Sequence, residues 1–342
     1  MHIRRSVLCV VAALSVGGAA CGKKSQSSGP PPELTGLAVV PAAVEAVVGV
    51  DIAKLGDSPV IDRAVEQLLL RDSVLSERWQ RLHDECKLDL QQQVTHVLLA
   101  LGPPRTSPAP GTGPVLMVVV GSVPETALKD CVTKLVGGGG GSVTGKSVLG
   151  RTVYLAKDGN RTMYFAYTRP DTVVLSSDEA YLTDALGTGK KAPDNPELTA
   201  WRKLVSERSP LWAVGRVDPR IRDGLVQVTS GKVAGPVAFA ASADLADGAK
   251  LQLSAVMSQP DQAKELESYV KGELALFTAA AQLKSLGAVV GKLGVAAEGS
   301  VVHIRATLTV DDLNQLLSAL DGASAPAQDP TPPQSTAGSG AP

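Results

Sequence analysis

Aromatic side chains are scarce in this chain of 342 residues: three Phe, three Trp and five Tyr. So few rings argue against a protein that stacks on nucleobases or sugars. An excess of charge of either sign is also missing, with 33 Lys plus Arg against 34 Asp plus Glu. A nucleic-acid partner is therefore not expected, because phosphate binding needs a basic surplus. Past the N-terminal segment no uninterrupted apolar run reaches the ~18 residues of a spanning helix. Signatures of catalysis are equally thin, since neither a G-x-S-x-G elbow nor a K-[ST]-G element occurs. What is plentiful is aliphatic material. Hydrophobic residues make up 44% of the chain, enough for the core of one large domain or two of ordinary size.

The N-terminus sets the expected compartment. Arg4 and Arg5 precede an apolar stretch from Val7 to Val16, followed by Gly18-Ala19-Ala20-Cys21. Residues 1–20 thus have the layout of a secretory signal peptide, too short to span a bilayer. The segment ending at Cys21 resembles the lipobox of bacterial lipoproteins, with Gly18 standing where Leu or Val is usual. That resemblance implies cleavage before Cys21, diacylglycerol on its thiol and a lipid anchor as the membrane partner. The Gly at position 22, in place of an Asp, implies an outer-membrane location. Ordinary secretion with cleavage after Ala20 is the rival. Residues 21–33 are polar and end in three prolines and a Glu, and read as a tether. Residues 322–342 are Ala, Pro, Ser, Thr and Gln without period, and are expected to be disordered.

Between tether and tail the chain echoes itself. Val47-Val48-Gly49-Val50-Asp51 returns as Ala213-Val214-Gly215-Arg216-Val217-Asp218, each leading to a Pro-started helix at Pro59 or Pro219. Val120-Gly121-Ser122-Val123-Pro124-Glu125 returns as Val256-Met257-Ser258-Gln259-Pro260-Asp261, each read as a strand end with a Ser cap and an acid behind it. The expectation is an α+β fold of two duplicated modules, residues 34–191 and 192–321, with β-α-β-β-α-β order in the ferredoxin-like manner. Expected helices are Pro59–Lys87, Pro124–Val136 and Asp178–Leu186, then Pro219–Val228, Gln262–Ala281 and Asp311–Leu320. Expected strands are Glu45–Ile52, Val94–Leu101, Val115–Val120 and hairpins between Arg151 and Leu175. In the second module they are Leu211–Val217, Val237–Ala243, Leu251–Met257 and Val301–Leu308. An apolar helical stretch from Leu274 to Leu293 could line a cavity or fill a core.

Each chemical motif meets a plainer reading. Gly140 to Ser147 matches the P-loop pattern G-x4-G-K-[ST], but a P-loop needs a strand before it and a helix after it. Here a helix precedes and a strand follows, so a turn is expected and no nucleotide. Ser268-Tyr269-Val270-Lys271 matches S-x-x-K without its companion elements, and Glu267 with Lys271 more simply forms an i,i+4 ion pair. His303, alternating with apolar Val302 and Ile304, reads as a solvated surface side chain. His96, in an apolar strand, reads as a core or edge histidine. His83-Asp84-Glu85-Cys86 holds metal-capable groups but no second cluster follows, so no metal and no cofactor are expected. Cys86 and Cys131 are the two cysteines left after processing at Cys21. They form either a disulfide or two buried thiols, and an oxidising compartment favours the bridge.

These readings point to a lipid-anchored envelope protein with a non-catalytic binding or structural role and a possible protein partner. The alternative is a carrier or sensor of a small apolar or lipid-like ligand held in a cavity. A hydrolase with an unfamiliar site comes third.

Overall fold

In a computed structural model of the chain, the described residues are 33–56, 58–104, 113–206, 209–282 and 287–323. Cys21 and the expected lipobox, nearly all of the expected tether and the residues beyond Ala323 lie outside them. In chain order the elements are β1 (Ala46–Asp51), α1 (Ile52–Leu55), α2 (Pro59–Arg71), α3 (Ser73–Cys86), α4 (Leu90–Gln93), β2 (Val94–Leu101) and β3 (Val115–Gly121). Then follow α5 (Glu125–Gly137), β4 (Ser142–Val148), β5 (Arg151–Asp158), β6 (Arg161–Arg169), β7 (Thr172–Ser176), α6 (Glu179–Leu186) and α7 (Pro196–Arg202). The chain continues through β8 (Leu211–Arg216), α8 (Pro219–Val228), β9 (Ala238–Asp244), β10 (Ala249–Val256), α9 (Pro260–Gln282) and α10 (Gly287–Val290). It closes with β11 (Leu293–Glu298), β12 (Val301–Leu308) and α11 (Val310–Ala323). The fold is α+β. Among the described residues twelve strands form one sheet in the order β11-β12-β10-β9-β8-β1-β2-β3-β7-β6-β5-β4, and every pairing between them is antiparallel.

Pairing register sorts the strand side chains into two faces, since successive residues point to opposite sides. On the first face Val47, Ala100, Leu116, Val174, Val214 and Ala240 are buried beneath Tyr181, Leu182 and Leu186 of α6 and Leu198 of α7. Lys191 closes this layer. Its ammonium donates to the carbonyls of Asp184 and Ala185, both at 2.7 Å, and satisfies the C-terminal end of α6. Burial pushes that amine's pKa down. The second face is covered at its two ends. Val132 and Leu128 of α5 lie over Phe165 and Val173, and Ala263, Leu266 and Val270 of α9 lie over Val302 and Val295. Ile52 and Leu82 also pack against Val97 and Val119, and Leu313 and Leu316 of α11 against Ala306 and Leu308, which leaves the second face open around Val48, Leu99, Leu251 and Leu253.

Hydrogen bonds fix where the helices sit. Tyr154, stacked on its cross-strand partner Phe165 with centroids 4.9 Å apart, donates its hydroxyl to Glu125 at the start of α5. Tyr167 donates to the carbonyl of Val123, and burial pushes its phenol up to about 12. In α11, Asp312 accepts the N–H and hydroxyl of Thr309 while Thr309 accepts the N–H of Asp312, a reciprocal cap. Lys292 pairs with the same carboxylate, and these hydrogen bonds hold Asp312 at about 2.

Several expectations need correction. The expected helix Pro59–Lys87 is two helices, broken at Asp72, whose φ of −118° and ψ of 95° are extended. Asp and Ser at the break favour local side-chain bonds over helix continuation. Pro124, not Ser122, occupies the N-cap of α5, without a side-chain bond. The apolar stretch Leu274 to Leu293 is not one helix, because α9 ends at Gln282 and Leu293 opens β11. Leu293, Val295 and Ala297 share one face by period two, a signal masked by the small residues between them. Strand β4 was not foreseen because as an edge strand it is largely polar. The ferredoxin-like order is not adopted either. A split β-α-β unit sets a strand between those joined by its first helix, whereas β1 pairs directly and antiparallel with β2.

The two halves meet where β1 pairs with β8, from Ala46↔Gly215 to Val50↔Leu211. A Cβ on Gly49 would lie 2.2 Å from the indole ring of Trp212, and one on Gly215 would lie 2.6 Å from the Cβ of Ala46. Gly49→Ala is expected to lower stability by about 1–3 kcal/mol through overpacking at this seam. Urea unfolding with an unchanged midpoint would contradict it.

Candidate functional site

The open part of the second face is an apolar trough. Its first section, about 420 Å3, is lined by Val48, Ala213, Ala241, Leu251, Leu253 and Ile304. Gln252 and Arg305 also border it, but the register turns their side chains to the other face, where Gln252 donates to the carbonyl of Leu204. Leu253 is 42% exposed, an unusual position for a Leu in a central strand. The second section, about 540 Å3, lies between the sheet and the α3–α5 pair, lined by Leu99, Met117, Leu175, Leu82, Val132 and Leu135. Val48 and Leu99 are cross-strand partners, so the sections adjoin across the β1–β2 ladder. Polar groups gather at the far end of the second section, where Arg81, Asp158, Arg161, Thr162, Ser176 and Ser177 border it.

A disulfide holds this wall. Cys86 of α3 and Cys131 of α5 are bridged, with Cα atoms 4.9 Å apart, and Arg81, Leu82, Val132 and Leu135 stand on the same two helices. Arg81 is fixed further by Glu85, at 2.8 Å from Nε, and by the carbonyl of Leu135. The hydrogen bond to Glu85 raises the guanidinium pKa and lowers that of the carboxyl.

The remaining sequence candidates fall elsewhere. Residues 142–148 of the P-loop match form β4, with no helix after the Lys-Ser pair, and Lys146 pairs with Glu179 at 2.5 Å. Within α9, Lys271 bonds Glu267 at 2.6 Å, as the i,i+4 spacing suggested. His303 is not a solvated side chain. It is 9% exposed, sharing a 2.9 Å hydrogen bond with the fully buried Ser254, and burial lowers its pKa. Its other nitrogen stands 3.9 Å from Glu298. The trio has the residue types of a hydrolase triad, yet the Ser254 hydroxyl has no path to a substrate. His96 reverses the other way, with a side chain 56% exposed and 3.5 Å from Asp51. His83 is exposed beside Asp84. Among the described residues no group of three metal-capable side chains converges, and no helix is long and apolar enough to cross a membrane.

Sequence reasoning missed the trough itself. Alternating apolar strands look the same whether a helix covers them or not, so nothing local marks Leu99, Leu251 or Leu253 as exposed. No family model and no curated protein matches the chain. Among solved structures, crystal forms III and I of TP0453 are similar, at 13% and 11% identity. They cover 86% and 87% of this chain and 100% and 99% of theirs, with a TM-score of 0.45 in each case. That likeness is too distant to carry a functional assignment.

Removing the bridge with paired Cys86→Ser and Cys131→Ser changes is expected to cost about 3–4 kcal/mol, from the loop the bridge closes. Calorimetric melting that matches the parent would show that the bridge carries no such constraint.

Proposed function

We propose that this is a lipid-anchored envelope protein that carries or senses an apolar, lipid-like molecule on the open face of its sheet. The trough carries this reading. It offers a cleft within the ordinary range of small-molecule sites, ~300–1,000 Å3, and its walls are aliphatic. Monomeric proteins rarely leave so continuous an apolar surface to water without a use for it. The anchor rests on the lipobox-like segment ending at Cys21, and the polar tether behind it would let the body stand off the bilayer while staying within reach of it. A catalytic role finds no support in the buried Ser254–His303 pair.

The body reads further as a duplication about the β1–β8 seam. Outward from that seam one wing runs β1-β2-β3-β7-β6-β5-β4 and the other β8-β9-β10-β12-β11. Asp51 and Asp218 stand at matching places, each accepting a backbone N–H of the helix after the first strand of its wing. The hairpin β4–β5 is the surplus of the first wing.

Native mass spectra of the whole chain carrying Cys21→Ser are expected to show added mass that is lost on denaturation. Leu99→Asp, which sets a carboxylate in the trough at an already exposed position, should abolish it, whereas the parent spectrum without added mass after incubation with palmitate and palmitoylglycerol would sink the carrier reading. For the anchor, labelled palmitate fed to an expressing bacterium should enter the native chain and not the Cys21→Ser variant. Equal labelling of both would rule out acylation at Cys21.

A further inference from the structure

We infer that the ligand of the trough is an anionic amphiphile, its carboxylate or phosphate held at Arg161 and its hydrocarbon chain lying along the sheet toward β10. This rests on the apolar-ligand reading above and adds head group and direction to it. The two sections of the trough are unlike. Side chains that face into the section over β8, β9 and β10 are aliphatic, and its three polar neighbours, Ser242, Gln252 and Arg305, turn away. The section over β2, β3 and β7 ends in the charged Arg81, Asp158 and Arg161 and the hydroxyl of Ser177, while Thr162 and Ser176 turn to the first face. A cleft that is apolar at one end and polar at the other orients an amphiphile one way round, because burying a charged head among Ala213, Ala241 and Leu253 would cost several kcal/mol.

The sign follows from which charges are already engaged. Arg81 is committed to Glu85 and to the carbonyl of Leu135. Arg161, exposed at the start of β6, forms no ion pair among the described residues. Asp158, its partner across the β5–β6 hairpin, is the one carboxylate among the side chains bordering this end. Arg81 and Glu85 cancel, and Asp158 forms no ion pair with Arg161, so the Arg161 guanidinium is the cation left to meet a ligand anion. Ser177 adds a donor, since its oxygen accepts the N–H of Val115 and its own O–H proton remains available. A guanidinium, with a hydroxyl on the adjoining β7 end of the same section, suits a planar carboxylate or a phosphate.

The direction has a length. From β6 to β1 the sheet passes four strand spacings, about 19 Å at ~4.8 Å each, which an extended sixteen-carbon chain spans. Such a chain with its head at Arg161 runs under α3 and α5, past Leu175, Met117 and Leu99, and ends at Val48, where the first section begins. The Cys86–Cys131 bridge keeps the roof of that path at one height.

The test uses the whole chain with Cys21→Ser, and palmitate, palmitoyl lysophosphatidate and uncharged palmitoylglycerol, each displacing a fluorescent fatty acid. In the parent, one or both anionic probes should bind more tightly than palmitoylglycerol, and which of the two is preferred tells a carboxylate from a phosphate head. Arg161→Gln should weaken the anionic probes about tenfold, equivalent to about 1.4 kcal/mol, leave palmitoylglycerol unchanged and leave the melting temperature unmoved. Arg161→Lys should restore part of the loss. Equal binding of all three probes by parent and Arg161→Gln would overturn the head-group assignment while leaving the trough as an apolar site. Failure of all three to bind the parent would overturn both readings.

Discussion

Five residue pairs between β1 and β8 are what make one sheet out of two wings. Backbone ladders tolerate many side chains, but this one passes beneath Trp212, and the indole occupies the space where residue 49 would carry a Cβ. Gly49 and Gly215 let the strands close around that ring and around Ala46. Arg202 stacks over the same indole, with its guanidinium carbon 4.2 Å from the ring centroid, and so ties α7 to the seam. The first-face core depends on this closure, since Val47 and Val214 are cross-strand partners within it.

A sheet so built has more apolar face than its helices can cover. On the first face α6 and α7 lie across the centre, and the buried residues form one cluster across both wings. On the second face the helices stand over the two ends, and the middle strands carry exposed Leu99, Leu251 and Leu253. Each exposed aliphatic side chain forgoes roughly 25 cal/mol per Å2 of unburied apolar area. A ligand chain laid along the trough recovers that burial, which is why an apolar occupant suits this surface better than water.

How much could be read in advance varied with how local the signal was. Strands with strict alternation, such as Val302, Ile304, Ala306 and Leu308, and helices opened by Asp218-Pro219 or Asp178 were legible because period and cap lie within a few residues. Counting left Cys86 and Cys131 as either a bridge or two buried thiols, and the structure shows the bridge. The break at Asp72, the strand that begins at Leu293 and the polar edge strand β4 were not legible, since competing local preferences there are nearly equal. His303 and His96 exchanged their expected environments for a similar reason. Alternation tells that His303 lies opposite Val302, and not that the opposite face is covered there as well.

Amino-acid order alone set the balance of charges, the apolar periodicity, the resemblance of the run ending at Cys21 to a lipobox, and the number of cysteines. Those properties reside in one residue or its near neighbours, so no folding is needed to establish them. Which strands adjoin, which face stays open and which cation is left without a partner were decided by the tertiary structure. Leu99 meets Val48 and Val48 meets Ala213 only because β1 lies between β2 and β8. A groove exists only relative to the helices that fail to cover it.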